Sequence, residues 1–377
     1  MRIGLVLDES LDGTDGVQQY MLRVGSWLRS QGHEVHYLVG ETTRTDVPNI
    51  HSLTRNLHVR FNGNRLSTPL PTSKSKLRAL LADLKLDVLH VQVPYSPFLA
   101  GRLMRLAPES TAVIGTFHIL PYSRFASVAS YGLGILNMRT ARRFDAMMAV
   151  SEPARVFAKS HYGLECSVVP NCFDAAEFAV AMTSVRQKRI VYLGRLVERK
   201  GPLELVRAVA NLHERALWPK DWQVVLGGKG GLYEEIQQYI EAHSLSSIVQ
   251  LYGFVEEDAK ADFLAQADIA VFPSMAGESF GISLLEAFAA ARGVVLAGDN
   301  PGYRSVMVGF EKQLFDPRNT AAFADILLRW MSDGSGRKVV AQDQKAYVER
   351  FDAPGVCARI LDVYEKTLHN RRSSWHN

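Results

Sequence analysis

Apolar and polar positions along this chain come in blocks rather than in strict alternation. Short, nearly continuous apolar runs lie at 3–7, 34–39, 87–91, 111–117 and 145–150. Between them lie loops and stretches with apolar residues at helical spacing, as at 17–31, where Tyr20, Leu22, Val24, Trp27 and Leu28 recur. Short unbroken apolar runs read as strands buried on both faces, the habit of a parallel sheet. Further helices are predicted at 73–84, 97–106 and 123–143, and a weaker strand at 56–61 that ends in Asn62-Gly63-Asn64-Arg65. After a connection at 173–188 the strand–helix pattern resumes, with strands at 189–193, 222–226, 248–251, 268–272 and 294–297. The pattern predicts an α/β chain with two doubly wound domains, 1–172 and 186–357. A last helix at 354–369 has a route that spacing alone does not fix.

Length agrees with two domains: 377 residues, 47% hydrophobic and 22% charged. The formal net charge of +4 is unevenly spread, since 53–143 holds thirteen Lys and Arg against three Asp and Glu. Such a segment suits an anionic partner such as lipid head groups, phosphates or nucleic acid, and also suits a plain solvated basic surface. Within it, 73–84 repeats leucine and alanine at helical spacing, with Lys74, Lys76, Arg78 and Lys85 around its ends. A basic amphipathic helix of this kind can lie on an anionic bilayer. Nucleic acid is disfavoured, because interleaved aromatics and a recognition motif are missing. Cys166, Cys172 and Cys357 have no metal spacing and fit a reducing cytoplasm. The opening residues read as a strand rather than a signal peptide, and no apolar run would span a bilayer. The expectation is a cytoplasmic protein that meets a membrane, if at all, from its inner face.

The chemistry concentrates in 273–293, between an apolar strand and an apolar helix starting near Gly281. Ser279 and Gly281 suit a turn into a helix whose free N–H groups attract phosphate. Glu278 precedes the helix and Glu286 lies within it, separated by seven residues. Carboxylates there can accept hydrogen bonds from sugar hydroxyls, or serve as a helix-start charge and a buried ion pair. Arg195 and Lys200 lie in Gly-Arg-Leu-Val-Glu-Arg-Lys-Gly, after the strand at 189–193. A guanidinium fork and an ammonium at a strand end suit a diphosphate leaving group. Arg199 is a third candidate, expected rather on the surface. His118 follows another strand, where open α/β sheets bind ligands. Gly16, at the start of the first helix, allows close approach of a diphosphate or serves as a turn residue. The glycines form no dinucleotide fingerprint.

These residues resemble those of retaining family 4 glycosyltransferases, with the GT-B fold of two Rossmann-like doubly wound domains facing across a cleft. The two glutamates at 278 and 286 and Gly-Arg-Leu…Lys-Gly at 194–201 carry the likeness. In more detail the chain is similar to bacterial phosphatidylinositol mannosyltransferases, at Met-Arg-Ile-Gly, Gly16-Val17-Gln18, Asn62-Gly63, Asp87-Val88-Leu89-His90, Thr116-Phe117-His118 and Val255…Lys260. The resemblance implies that Arg195 and Lys200 hold the nucleotide diphosphate, Glu286 the ribose and Glu278 the transferred sugar. Gly16, Val255, Lys260, Ser279, Phe280, Gly281 and Ile282 would complete the donor site. His118, Arg195, Lys200 and Glu278 would form the catalytic set. Gln18, Asn62, Gly63 and Arg65 would face the acceptor. The basic segment would touch the membrane, and the last helix, about 358–377, would cross back to the first domain. Neither metal nor cofactor is required on this reading, and the favoured donor is GDP-mannose. Three positions depart from the pattern: Glu9, where the mannosyltransferases usually carry an aromatic residue, Val93 and Ala291. A UDP-sugar with another glycolipid or cell-wall acceptor stays open, as does a nucleotide-sugar-binding protein without transfer activity.

Overall fold

The computed structural model describes residues 1–13, 15–61, 64–122, 124–179 and 187–374. It divides the chain into two units, one formed by Met1–Cys172 with the chain from Phe351 onward, the other by Phe173–Arg350.

In the first unit the strands are β1 (Arg2–Leu7), β2 (Glu34–Val39), β3 (Ile50–Ser52), β4 (Asn56–Phe61), β5 (Asn64–Pro69), β6 (Val88–Val91), β7 (Ala112–Phe117), β8 (Ala146–Ala149) and β9 (Ser167–Val168). The helices are α1 (Gly16–Ser30), α2 (Lys74–Leu84), α3 (Leu99–Leu106), α4 (Arg124–Ala141) and α5 (Glu152–Tyr162). Seven strands form one sheet in the order β3-β2-β1-β6-β7-β8-β9, with every pairing parallel. Its central strands are buried along most of their length, as the unbroken apolar runs require. β4 and β5 stand apart as an antiparallel hairpin. Periodicity gave only β4, because β5, Asn-Arg-Leu-Ser-Thr-Pro, is too polar to signal a strand. Leu77, Leu81 and Leu84 of α2 are buried in this unit's core, while Lys74, Lys76 and Arg78 are exposed. The apolar stripe of the basic helix is therefore used internally, and α2 offers the solvent mainly charge.

The second unit contains β10 (Lys188–Leu193), β11 (Trp222–Gly227), β12 (Val249–Gly253), β13 (Ile269–Phe272), β14 (Val294–Gly298) and β15 (Leu314–Phe315). Its helices are α6 (Pro202–Glu214), α7 (Tyr233–Ala242), α8 (Lys260–Ala265), α9 (Ile282–Ala290), α10 (Pro301–Val306), α11 (Thr320–Ser332) and α12 (Gly334–Val348). The sheet order is β12-β11-β10-β13-β14-β15, again parallel throughout. This unit begins at Phe173, earlier than the 186 expected from sequence. Phe173 and Phe178 are buried with ring centroids 5.2 Å apart, and the short turn Ala176–Phe178 packs on α8 and α9.

Helix α13 (Ala353–Ser374) returns to the first unit and packs on α1 and β7. Val356, Cys357, Ile360 and Tyr364 enter the same core as Ile3, Tyr20 and Cys172. A buried polar chain fixes the docking. The Tyr364 hydroxyl lies 2.6 Å from His90 Nδ1, and His90 Nε2 lies 2.7 Å from Thr116 Oγ1. Burial, with His118 nearby, pushes His90 down to a pKa of about 3. A neutral ring has one N–H and one lone pair, so one of its two nitrogens donates and the other accepts along this chain. Leaving a member of this chain unpaired would cost roughly 1–3 kcal/mol.

Candidate active site

Each sheet reverses its strand order once, at β1/β6 in the first unit and β10/β13 in the second. Loops leaving the strand ends on either side of such a reversal open a crevice for ligand. In the second unit these are the loop at 194–201 after β10 and the loop at 273–281 after β13. They meet closely because Gly201, at φ +68, has no Cβ to strike the Pro273 carbonyl.

Their meeting places Lys200 Nζ 2.8 Å and Arg199 Nη1 3.2 Å from Glu278 Oε1. Ser274 Oγ lies 2.7 Å from the same oxygen. The three charged side chains are between 12% and 19% exposed, so their attraction is little screened by solvent. Burial alone would push the Glu278 carboxyl up, but Lys200 and Arg199 outweigh it and hold it below its ordinary value. Burial also pushes the Lys200 ammonium down, with Glu278 opposing. Arg199 is thus not the surface residue expected from sequence. Its carbonyl accepts the Met275 N–H at 2.9 Å, which folds its loop back under 274–278 and turns the guanidinium inward. Ser274, buried beneath it, had no sequence signal.

The other proposed donor residues belong to the same unit, except Gly16, which lies in the first. Arg195 is half-buried after β10, and its carbonyl accepts the Tyr192 hydroxyl at 2.8 Å. Gly281 precedes α9, with Ile282 as the first helical residue and no capping side chain from Gly281. Ser279 is half-buried and Phe280 buried. Glu286, one turn into α9, is buried, and Lys260 Nζ of α8 stands 3.9 Å from its Oε1. Lys260 also pairs with Glu257 at 2.8 Å, while Val255 is buried before that turn. Two carboxylates, Glu278 and Glu286, are therefore each approached by at least one cation near the start of α9.

In the first unit, His118 follows β7 and is buried. Burial pushes it down to a pKa of about 3, so it is neutral. Its Nε2 lies 2.9 Å from Gln92 Oε1, and Tyr20 meets the ring edge-on at 4.9 Å. The carbonyl oxygen accepts, so Nε2 carries the proton and Nδ1 keeps a lone pair. Gln92, just beyond β6, was not singled out in the sequence. Gly16 is the exposed first residue of α1, two residues before buried Gln18. Gln18 Nε2 donates to Glu9 Oε2 at 3.2 Å. Burial, with Asp15 and Asp8 nearby, pushes the Glu9 carboxyl up to about 7. Asp8 is raised to about 6 by burial, although Ser96 and the Ala100 N–H, at 2.7 Å, both donate to it. Arg65 pairs with Arg60 in the β4–β5 register. Asn62 and Gly63 lie outside the described residues.

Two parallel, doubly wound domains, each with one reversal of strand order, are the architecture of the GT-B glycosyltransferases. A solved glycosyltransferase from Rickettsia africae shares this fold with a TM-score of 0.74, at 18% identity and with 98% of each chain covered. The model for Glycosyltransferase Family 4 matches residues 14–177, and that for Glycosyl transferases group 1 matches 176–347. Phosphatidyl-myo-inositol mannosyltransferase of Mycolicibacterium smegmatis is 30% identical over 373 residues, covering 97% of this chain and 94% of the relative. The enzyme of the same name from Propionibacterium freudenreichii is 28% identical, covering 99% and 97%. The chain belongs to this glycosyltransferase family.

Proposed function

We propose that the protein moves mannose from GDP-mannose to a phosphatidylinositol-type lipid with retention of configuration. The observation that carries the reading is the half-sequestered cluster of Glu278, Lys200 and Arg199 at the β10/β13 reversal. Similarity over nearly the full length to phosphatidyl-myo-inositol mannosyltransferases supports mannose and a lipid of this type among the family's possibilities. On this reading the second unit holds the donor. Departure of the nucleoside diphosphate builds negative charge on the phosphates, which Arg195, Lys200 and the N-terminal N–H groups of α9 offset. Glu278 accepts hydrogen bonds from the sugar, and Glu286 from the ribose. Attack by the acceptor hydroxyl on the face the phosphate leaves needs no protein nucleophile, and the departing phosphate can take the proton. Gln18 and neutral His118 of the first unit serve the acceptor side.

Among the described residues no helix is long and apolar enough to cross a membrane. Contact with the lipid surface is assigned to charge on the basic segment, including exposed Lys74, Lys76 and Arg78, together with exposed Leu70 and Phe98. Glu9 supports a second reading for the acceptor alone: a half-buried carboxyl bonded to Gln18, where the mannosyltransferases it resembles usually carry an aromatic residue, suits a hydroxyl-rich head group other than inositol.

A thermal-shift panel of GDP-, UDP- and ADP-sugars tests the donor, since a ligand raises the melting temperature by mass action. GDP-mannose should give the largest shift, and mannosyl transfer to phosphatidylinositol vesicles should follow. A larger shift with a UDP-sugar would refute the donor assignment.

A further inference from the structure

Arg199 is tied to the loop bearing Glu278 at both ends. Its guanidinium lies 3.2 Å from Glu278 Oε1, while its carbonyl accepts the Met275 N–H at 2.9 Å and stands 3.1 Å from Ser274 Oγ. Lys200 Nζ reaches the same carboxylate oxygen at 2.8 Å. One carboxylate with two cations is an unbalanced group, and the arrangement has a cost: Arg199 contributes to destabilising the Lys200 ammonium. The two cations differ in freedom. Lys200 is a point charge on a flexible stem, whereas Arg199 is a planar fork whose backbone is fastened to the loop it pairs with.

The difference matters when a diphosphate arrives, because it offers Lys200 more negative charge than a single carboxylate does. Losing its nearer cation would leave Glu278 undercompensated in a buried position, which is strongly unfavourable. We infer that Arg199 is a positioning residue, the standing partner that keeps the Glu278 carboxylate charged and in place while Lys200 turns to the donor diphosphate. The inference rests on the donor site proposed above.

The test is steady-state transfer from GDP-mannose to phosphatidylinositol vesicles from as acid a pH as the wild type tolerates, below 4.5, up to 9. It compares wild type, Arg199→Gln, Arg199→Lys, Glu278→Gln and the Arg199→Gln/Glu278→Gln double variant. Arg199→Gln should lower kcat roughly tenfold with little change in KM for GDP-mannose. The acid limb of its profile should move to higher pH, because removing a cation makes Glu278 easier to protonate. Arg199→Lys should restore the position of that limb. In the Glu278→Gln background the Arg199 substitution should add almost nothing, as for residues acting through one another. Arg199→Met, which keeps the packing of the stem, replaces Arg199→Gln if that variant does not fold. An unmoved acid limb with unchanged kcat, or a fully additive double variant, overturns the inference and leaves the donor reading standing. Wild type inert toward GDP-mannose, or a fully active Glu278→Gln, overturns both.

Discussion

The two strand reversals of this molecule share a topology and differ in electrostatics. At β10/β13, ionisable groups are buried together with their counter-charges, so Glu278 stays charged. At β1/β6 and the neighbouring strand end, burial is the largest influence and disfavours charge. His118 and His90 are held neutral near pKa 3, and Asp8 and Glu9 are raised to about 6 and 7. On the reading proposed above, the first crevice meets charge that moves during a reaction, and the second meets hydroxyl groups with side chains whose burial disfavours charge. A doubly wound sheet decides where a ligand sits, and the composition of two loops decides what kind of ligand that is.

The comparison breaks most visibly at Lys200. Lys200→Ala removes the nearest cation from Glu278 and, on the proposed reading, one from the departing phosphate, and should lower kcat/KM by roughly 10²–10³, about 2.7–4 kcal/mol. Initial rates with GDP-mannose check it, and a loss below tenfold would detach Lys200 from the leaving group. Arg195→Ala should cost at least about tenfold in turnover, or about 1.4 kcal/mol of transition-state stabilisation. Unchanged turnover in that variant would remove Arg195 from the charged crevice.

The first unit gives a smaller effect of a different kind, in stability rather than rate. Unfolded Glu9 releases its proton near 4.5, whereas the folded carboxyl holds it to about 7. The folded state therefore binds more protons across that window, and its stability falls as pH rises through it. Glu9→Gln removes this penalty and should stabilise the protein above pH 7 by on the order of 1–3 kcal/mol, with no gain below about pH 4. Melting curves at pH 4.5 and 8 measure the difference. An equal shift at both would show that Glu9 is not buried as a near-neutral acid.

The sheets were legible in the sequence because parallel strands must be apolar on both faces, as the runs at Ile3, Val88 and Ile269 show. Polar β5 escaped, since an antiparallel hairpin beside the sheet need not bury its side chains in the core. At the candidate site, residue types in motif order marked Glu278 and Lys200. Arg199 was misjudged because it lies in a 3₁₀ turn, Glu198–Lys200. With about three residues per turn, neighbouring side chains leave the axis in different directions, so adjacency to Lys200 did not show where Arg199 points. Gln92 bonds His118 and Ser274 bonds the Arg199 carbonyl, partners far away in the chain, and spacing carries no trace of such pairs.

The return of α13 makes the molecule nested: the second unit is one uninterrupted stretch, whereas the first is assembled from two pieces of chain. During synthesis, the earlier-made sheet must therefore wait with Tyr20 and His90 lacking their cover until the segment carrying Ile360 and Tyr364 emerges. The inner unit can close before the outer one is finished, although it is translated later. Removing residues from 353 onward should thus spoil the amino-terminal half of the protein and spare the half that immediately precedes the cut.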